Sequence, residues 1–268
     1  QVGNGLQRIL LPLRAESEGI SAGMMGLVMA FHFAGYLFGA RFIISVINTV
    51  GHIRVFAALA STASVAVLIN AVFVVPASWM VVYFVSGICN AGIFVVLESW
   101  LNAKASNEVR GKVLGTYMMI MMGGTAAGFL LMNLGDASGF RMFIFSSVLI
   151  SSAVIPVALT STSAPPLQEE ERMKIGELFN IIPAAVVGLF LASFVQASTS
   201  SMSTVFGTEA GMSTGKVALF TAVGFVGAVV LQYPLGALSD RLPRRSVIIG
   251  ATVIAGSVAL LGALTPTT

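Results

Sequence analysis

Long apolar runs alternate along the chain with short breaks rich in glycine, proline or charge. The runs fall at residues 1–13, 22–47, 53–75, 78–101, 111–134, 140–159, 181–206, 217–238 and 247–264. At about 1.5 Å of helical rise per residue, a run of roughly 20 residues crosses a hydrocarbon layer about 30 Å thick. All but the first therefore predict transmembrane α-helices. The first run is too short to cross and begins abruptly in apolar sequence, so it reads as the second half of a helix. The strict apolar–polar alternation of a membrane β-barrel is absent, and the runs are about twice the length of a barrel strand. An all-α membrane protein is predicted.

Composition sharpens this picture. The chain of 268 residues is 56% hydrophobic and 9% charged, with a mean hydropathy of +0.94. A soluble domain carries about a quarter charged residues. The net charge of +3 is dispersed between spans rather than gathered in a patch, so it points to membrane orientation and away from nucleic acid. If successive helices alternate sides, nine basic residues fall in the loops of one side and three in those of the other. The richer side holds Arg54, Lys104, Arg110, Lys112, Arg172, Lys174, Arg241, Arg244 and Arg245, and the positive-inside rule places it in the cytoplasm.

The longest polar stretch, "TSTSAPPLQEEERMKIGELFN" at 160–180, separates six spans from three. It divides the chain into a six-helix bundle at 1–160, a cytoplasmic linker at 161–180 and the first helices of a second bundle at 181–268. Leu167, Ile175, Leu178 and Phe179 suit either one face of a short surface helix or a charged tether. A charged turn, "GALSDRLPRRS" at 236–246, follows the second span after this linker. The turn "INTVGHIRVF" at 47–56 follows the second span of the first half. Related loops in corresponding places of two halves are a mark of duplicated transporters.

The pattern Gly236-x-x-x-Asp240-Arg241-x-x-Arg244-Arg245 resembles the signature loop of the Major Facilitator Superfamily. Together with "VGHIRVF" and "LESWLNAKASNEVRGKVLGTYM" at 97–118, it is similar to the YcaD-type branch of that superfamily. The resemblance implies a twelve-helix fold of two bundles, of which this sequence holds a partial helix 1 through helix 9. It also implies secondary active transport of a small organic solute by alternating access, with a proton as coupling ion, in a bacterial-type cytoplasmic membrane. Some positions depart from the family pattern. Asn48 stands nearest the place of the aspartate in the first-half loop, Pro243 replaces a glycine, and Tyr83 occupies the place of a helix 4 arginine. The segment "GGTAAG" at 123–128 lacks the antiporter proline, which disfavours drug–proton exchange. A second function stays open: a non-transporting membrane subunit or assembly factor that packs against partner proteins.

Charges at mid-membrane cost about 2.5 to 3.5 kcal/mol on insertion scales, so each ionisable residue in a span is a functional candidate. A cytoplasmic latch would draw on Gly51, Arg54, Glu98, Arg110, Asp240, Arg241, Arg244 and Arg245, with Asp240 paired to Arg244 and Glu98 to Arg54 or Arg110. Glu98 also suits a proton or cation site facing a cavity, although its place near the helix end favours the latch. Asn90, Phe94 and Glu98 recur every four residues on one helix face. Asn4, Gln7 and Arg8 give the first helix a polar stripe. Arg8 could grip a carboxylate or phosphate through its planar fork of donors, or snorkel outward and pair with Glu16. His32 fits a proton relay or a packed, hydrogen-bonded residue. Gln196, Thr199 and Ser200 form a strip that could line a cavity or bond neighbouring helices.

Gly35 with Gly39, and Gly124 with Gly128, have the spacing that lets helices approach closely. Cys89 is the only cysteine, so no disulfide and no cysteine metal cluster is expected. The segment "GMSTGK" at 211–216 lacks the first glycine and the final Ser or Thr of a phosphate loop. With no catalytic triad, paired catalytic carboxylates or zinc spacing, no enzyme activity, metal or cofactor is expected. The expected partners are a small-molecule solute, a proton, the lipid bilayer and, on the second reading, a membrane protein complex.

Overall fold

In a computed structural model, the described residues are 1–106, 109–160 and 175–264. Every element among them is helical: α1 (Val2–Ser17), α2 (Ala22–Val50), α3 (His52–Val72), α4 (Pro76–Lys104), α5 (Arg110–Leu131), α6 (Phe140–Ser152), α7 (Val154–Ala158), α8 (Ile175–Ile181), α9 (Pro183–Glu209), α10 (Thr214–Arg241) and α11 (Arg244–Leu264). A 3₁₀ turn, Met132–Leu134, extends α5. Eight of the helical stretches are long and apolar enough to cross a membrane.

Local chemistry sets the helix limits. Ser21 accepts a hydrogen bond from the Met24 amide at 3.4 Å and starts α2. Pro76 and Pro183 occupy the first turns of α4 and α9, where their missing N–H leaves nothing unsatisfied. Gly51, at φ +93°, ends α2 and opens α3 in a single residue, a conformation that favours glycine. Between α5 and α6, Ser138 donates from its hydroxyl and its amide to Asp136. Those bonds hold the Asp136 carboxyl below its ordinary range.

Two expectations need correction. The run at 140–159 is not one helix but α6 and α7, with a break at Ala153. Pro156 supplies the cause, because it has no amide to bond Ser152 and its ring crowds that carbonyl. The first run extends past residue 13, since α1 continues to Ser17. There Arg14 and Glu18 form an ion pair at 2.8 Å. Most of the linker, 161–174, lies outside the described residues. Its end is the short, exposed helix α8, which leads directly into α9.

Glycines bring the first six spans together. A side chain at Gly35 would overlap the Phe84 carbonyl, and one at Gly87 would overlap the His32 carbonyl, so α2 and α4 touch backbone to backbone. Gly39 continues the seam: its Cβ would lie 2.8 Å from the Cα of Ile88. Helix α1 lies between α5 and α6. Gly5 meets the Thr125 backbone, Gly128 meets the Val2 carbonyl, and a Cβ at Gly3 would come within 2.8 Å of the Ser146 carbonyl. Hydroxyls pin α1, α3 and α6. Ser146 donates to the Gly3 carbonyl at 2.8 Å, and Ser64 bonds Ser147 at 2.7 Å and Ser151 at 2.6 Å.

The later helices attach at one end of the molecule. α10 packs on α5 and the 3₁₀ turn, and α9 packs on α1, α2 and α10. The contacts gather where the α1–α2, α5–α6 and α9–α10 turns meet. Val205, Val217, Ala218 and Ala222 are buried there with Leu13, Met25, Phe129 and Met132. The rings of Phe129 and Phe225 lie 5.3 Å apart, and Gly215 abuts the Asn133 side chain. Among the described residues, no side-chain hydrogen bond or ion pair joins α9–α11 to α1–α7. Among those residues the seam is mainly apolar contact. At the opposite end, the first half of α9 and the first turns of α5 are exposed, so the helices splay.

Candidate functional site

The splayed arrangement leaves a cavity of about 500 Å³ between α1, α2 and α4 on one side and α9 and α10 on the other. Its size falls in the range of small-molecule sites, roughly 300 to 1,000 Å³. The apolar seam closes one end, while the end carrying the α2–α3 and α10–α11 turns stays open.

Seven of the nine residues predicted for a cavity line this one: Asn4, Gln7, Arg8, His32, Asn90, Gln196 and Ser200. The helix period explains the grouping, since residues three and four apart share a face. Asn4 reaches across from α1 to α4 and donates to Asn90 Oδ1 at 3.3 Å. Gln196 donates to the Ser200 hydroxyl at 3.0 Å along α9. Arg8 is exposed, and it lines the cavity. Its electrostatic neighbours are Tyr83, Tyr36 and His32. The outward pairing with Glu16 is corrected: Glu16 lines a separate cleft near the closed end, about two helical turns further along α1.

Phe94 and Thr199 are the other two, and neither lines the cavity. The Phe94 ring packs beside Tyr36, with centroids 6.3 Å apart. Thr199 donates back to the Val195 carbonyl at 2.8 Å on an exposed face of α9, a local bond open to any helical threonine. His32 sits edge-on to Tyr83, with centroids 5.8 Å apart.

Residues not predicted complete the lining. Tyr83 and Ser86 precede Asn90 on α4 and, with Phe225, line the cavity. The spacing 83, 86, 90 follows the same face-sharing rule that marked Asn90, Phe94 and Glu98, so the signal was present one turn earlier. The Ser86 hydroxyl is buried and has no hydrogen-bond partner.

The latch residues whose side chains are described are not drawn together. Glu98 makes no ion pair with Arg54 or Arg110 among the described residues. It is half-buried and interacts electrostatically with Tyr36 and Tyr117, whose buried hydroxyl lacks a partner. The physical reason is the splay: Arg54 and Arg110 are exposed at the open end, whereas Glu98 faces these tyrosines. Gly51 forms the α2–α3 turn, and Arg241 and Arg245 are exposed at the α10–α11 turn. The side chains of Asp240 and Arg244 lie outside the described residues.

A sequence profile of the Major Facilitator Superfamily matches residues 1–268. The "Uncharacterized MFS-type transporter YcaD" of Escherichia fergusonii is 26% identical over 256 residues, covering 94% of this chain and 67% of its own length. Its namesake from Salmonella newport is 27% identical over 257 residues, with the same coverage. That of Escherichia coli O17:K52:H18 is 26% identical over 261 residues, again covering 94% and 67%. The chain thus spans about two thirds of the length of these relatives. No solved structure gives a significant match.

Proposed function

Because the chain belongs to the Major Facilitator Superfamily, we propose that it is a secondary transporter that carries a small organic solute across the cytoplasmic membrane by alternating access. The observation that carries this reading is the cavity. It draws polar side chains from α1, α2, α4 and α9, and it is closed at one end by contacts that, among the described residues, include no side-chain hydrogen bond. A subunit that served only to pack against partners needs no polar chamber of about 500 Å³ at the junction of its helices.

The apolar seam suits a contact that must form and break. Among the described residues, separating it strands no buried polar pair, so the cost is chiefly that of the apolar area exposed. With the basic loops placed in the cytoplasm, the open end is cytoplasmic and the conformation is inward-open. The arginine-rich α10–α11 turn then lies beside the lipid headgroups and joins a latch only when that end closes.

Proton coupling rests on Glu98. It lies on the open side of the cavity, beside Tyr36 and Tyr117 and, among the described residues, without a basic partner, so proton uptake would remove a charge that no described ion pair compensates. Solute accumulation by the whole protein in liposomes tests both parts of the proposal. With a mixture of small metabolites outside and an alkaline interior, at least one solute is expected to accumulate above empty liposomes, and a protonophore should abolish the gradient. Accumulation of none contradicts transport. Equilibration without accumulation contradicts coupling.

A further inference from the structure

We infer that the central cavity is a binding site for a small organic anion, with Arg8 gripping one carboxylate or phosphate group. This deepens the transport reading and rests on the same cavity. Of the fifteen described residues that line the chamber, Arg8 alone carries a formal charge at neutral pH, and none is Asp or Glu. An arginine keeps its proton in any protein environment, so the chamber is positive.

The cation is uncompensated. Among the described residues Arg8 forms no hydrogen bond and no ion pair; the basic residue of α1 that does pair is Arg14, with Glu18. Glu98 is not among its electrostatic neighbours, which are Tyr83, Tyr36 and His32. A cation within a membrane span and without a counter-charge is costly, and water in the chamber offsets only part of that cost. A bound anion supplies the missing charge and matches the planar, two-pronged donor geometry of the guanidinium.

Ser86 is the second, independent sign of a ligand. Its hydroxyl is buried, unpartnered, and borders the same chamber, and buried polar groups are normally satisfied. Tyr83, Asn90 and Gln196 add donors and acceptors around it. Such a lining suits a solute that carries one anionic group together with hydroxyl or carbonyl oxygens. Cations meet like-charge repulsion from Arg8. Neutral analogues leave Arg8 unpaired.

Thermal unfolding of the purified full-length protein tests the site with defined probes: lactate, gluconate, glycerol 3-phosphate, their neutral counterparts lactamide and glycerol, and choline. At least one anion is expected to raise the unfolding temperature, while lactamide, glycerol and choline do not. Lactate or gluconate alone would mark a carboxylate site, and glycerol 3-phosphate alone a phosphate site. Arg8→Gln should raise the half-saturating concentration at least about tenfold, and Arg8→Lys should fall between the two. Should Arg8→Gln fail to fold, Arg8→Lys and the wild-type comparison of charged with neutral probes still decide the matter.

Stabilisation by lactamide, glycerol or choline as strong as by the anions overturns the inference. So does an anion midpoint unchanged by Arg8→Gln, or no stabilisation by any of the three anions. The same probes in liposomes separate this inference from the transport reading. Transport of a neutral solute, with no anion binding, leaves the transporter and removes the anion site. Anion binding without movement leaves the site and removes the transporter.

Discussion

Gly87→Leu is expected to leave little folded protein in the membrane. A Cβ at this position would overlap the His32 carbonyl oxygen and lie 2.8 Å from the Tyr36 nitrogen and 3.0 Å from the His32 carbonyl carbon. All three obstacles are backbone, so no side chain can turn aside. The helices would have to separate along the seam that Gly35, Gly39 and Gly87 share, and overpacking of this kind costs about 1 to 3 kcal/mol, occasionally more. That is a large share of a typical stability of about 5 to 15 kcal/mol. The same separation would displace His32 and Tyr83, which pack edge-on and line the same side of the cavity. Gly35→Leu should behave alike, because its side chain would overlap the Phe84 carbonyl. Gly224→Ala is the control: nothing lies within 4 Å of its added Cβ, and a helical Gly→Ala change is neutral or mildly stabilising. Size-exclusion yield and unfolding temperature of the three variants check this. Normal yield for Gly87→Leu would contradict the close α2–α4 contact.

Joining Asn133→Cys to Gly215→Cys with a short thiol cross-linker is expected to stop transport. A Cβ on Gly215 would lie 2.9 Å from Asn133 Oδ1, so the two positions adjoin across the closed seam. Alternating access requires that seam to part, and a covalent strap at its rim forbids it. The native thiol does not interfere, since Cys89 is buried, and a Cys89→Ala background removes it altogether. Cleaving the cross-link should restore movement, which separates a locked protein from a damaged one. Transport unchanged by the strap would mean that this end never opens.

Much of the fold is legible in the sequence because the bilayer imposes a length and a polarity on every span. All nine apolar runs appear as helices with ends shifted by a few residues, or in one case divided, and Pro156 names the place of that division. The cavity is legible only in part. Asn4, Gln7, Arg8, His32, Asn90, Gln196 and Ser200 stand out because polar residues are rare in these spans. Thr199 and Phe94 share their helices, and nothing in the sequence says which way each side chain points. Helix period gives a face but not the partner that the face meets. Tyr83 and Ser86 belong to the same α4 face as Asn90, and an apolar setting hid them. The separation of Glu98 from Arg54 and Arg110 was not legible either, because residue spacing along each helix does not record how far the helices splay.

The central claim is that the cavity opens alternately to the two sides of the membrane, and it can be tested before any solute is known. Gln196→Cys in a Cys89→Ala background places one thiol on the cavity wall. A membrane-impermeant maleimide applied to right-side-out and inside-out vesicles then reports access from each face. Labelling is expected from both faces, with cross-linking of Asn133→Cys to Gly215→Cys beforehand abolishing access from the closed end while leaving the open end reactive. Labelling from one face only, with or without the cross-link, would contradict alternating access.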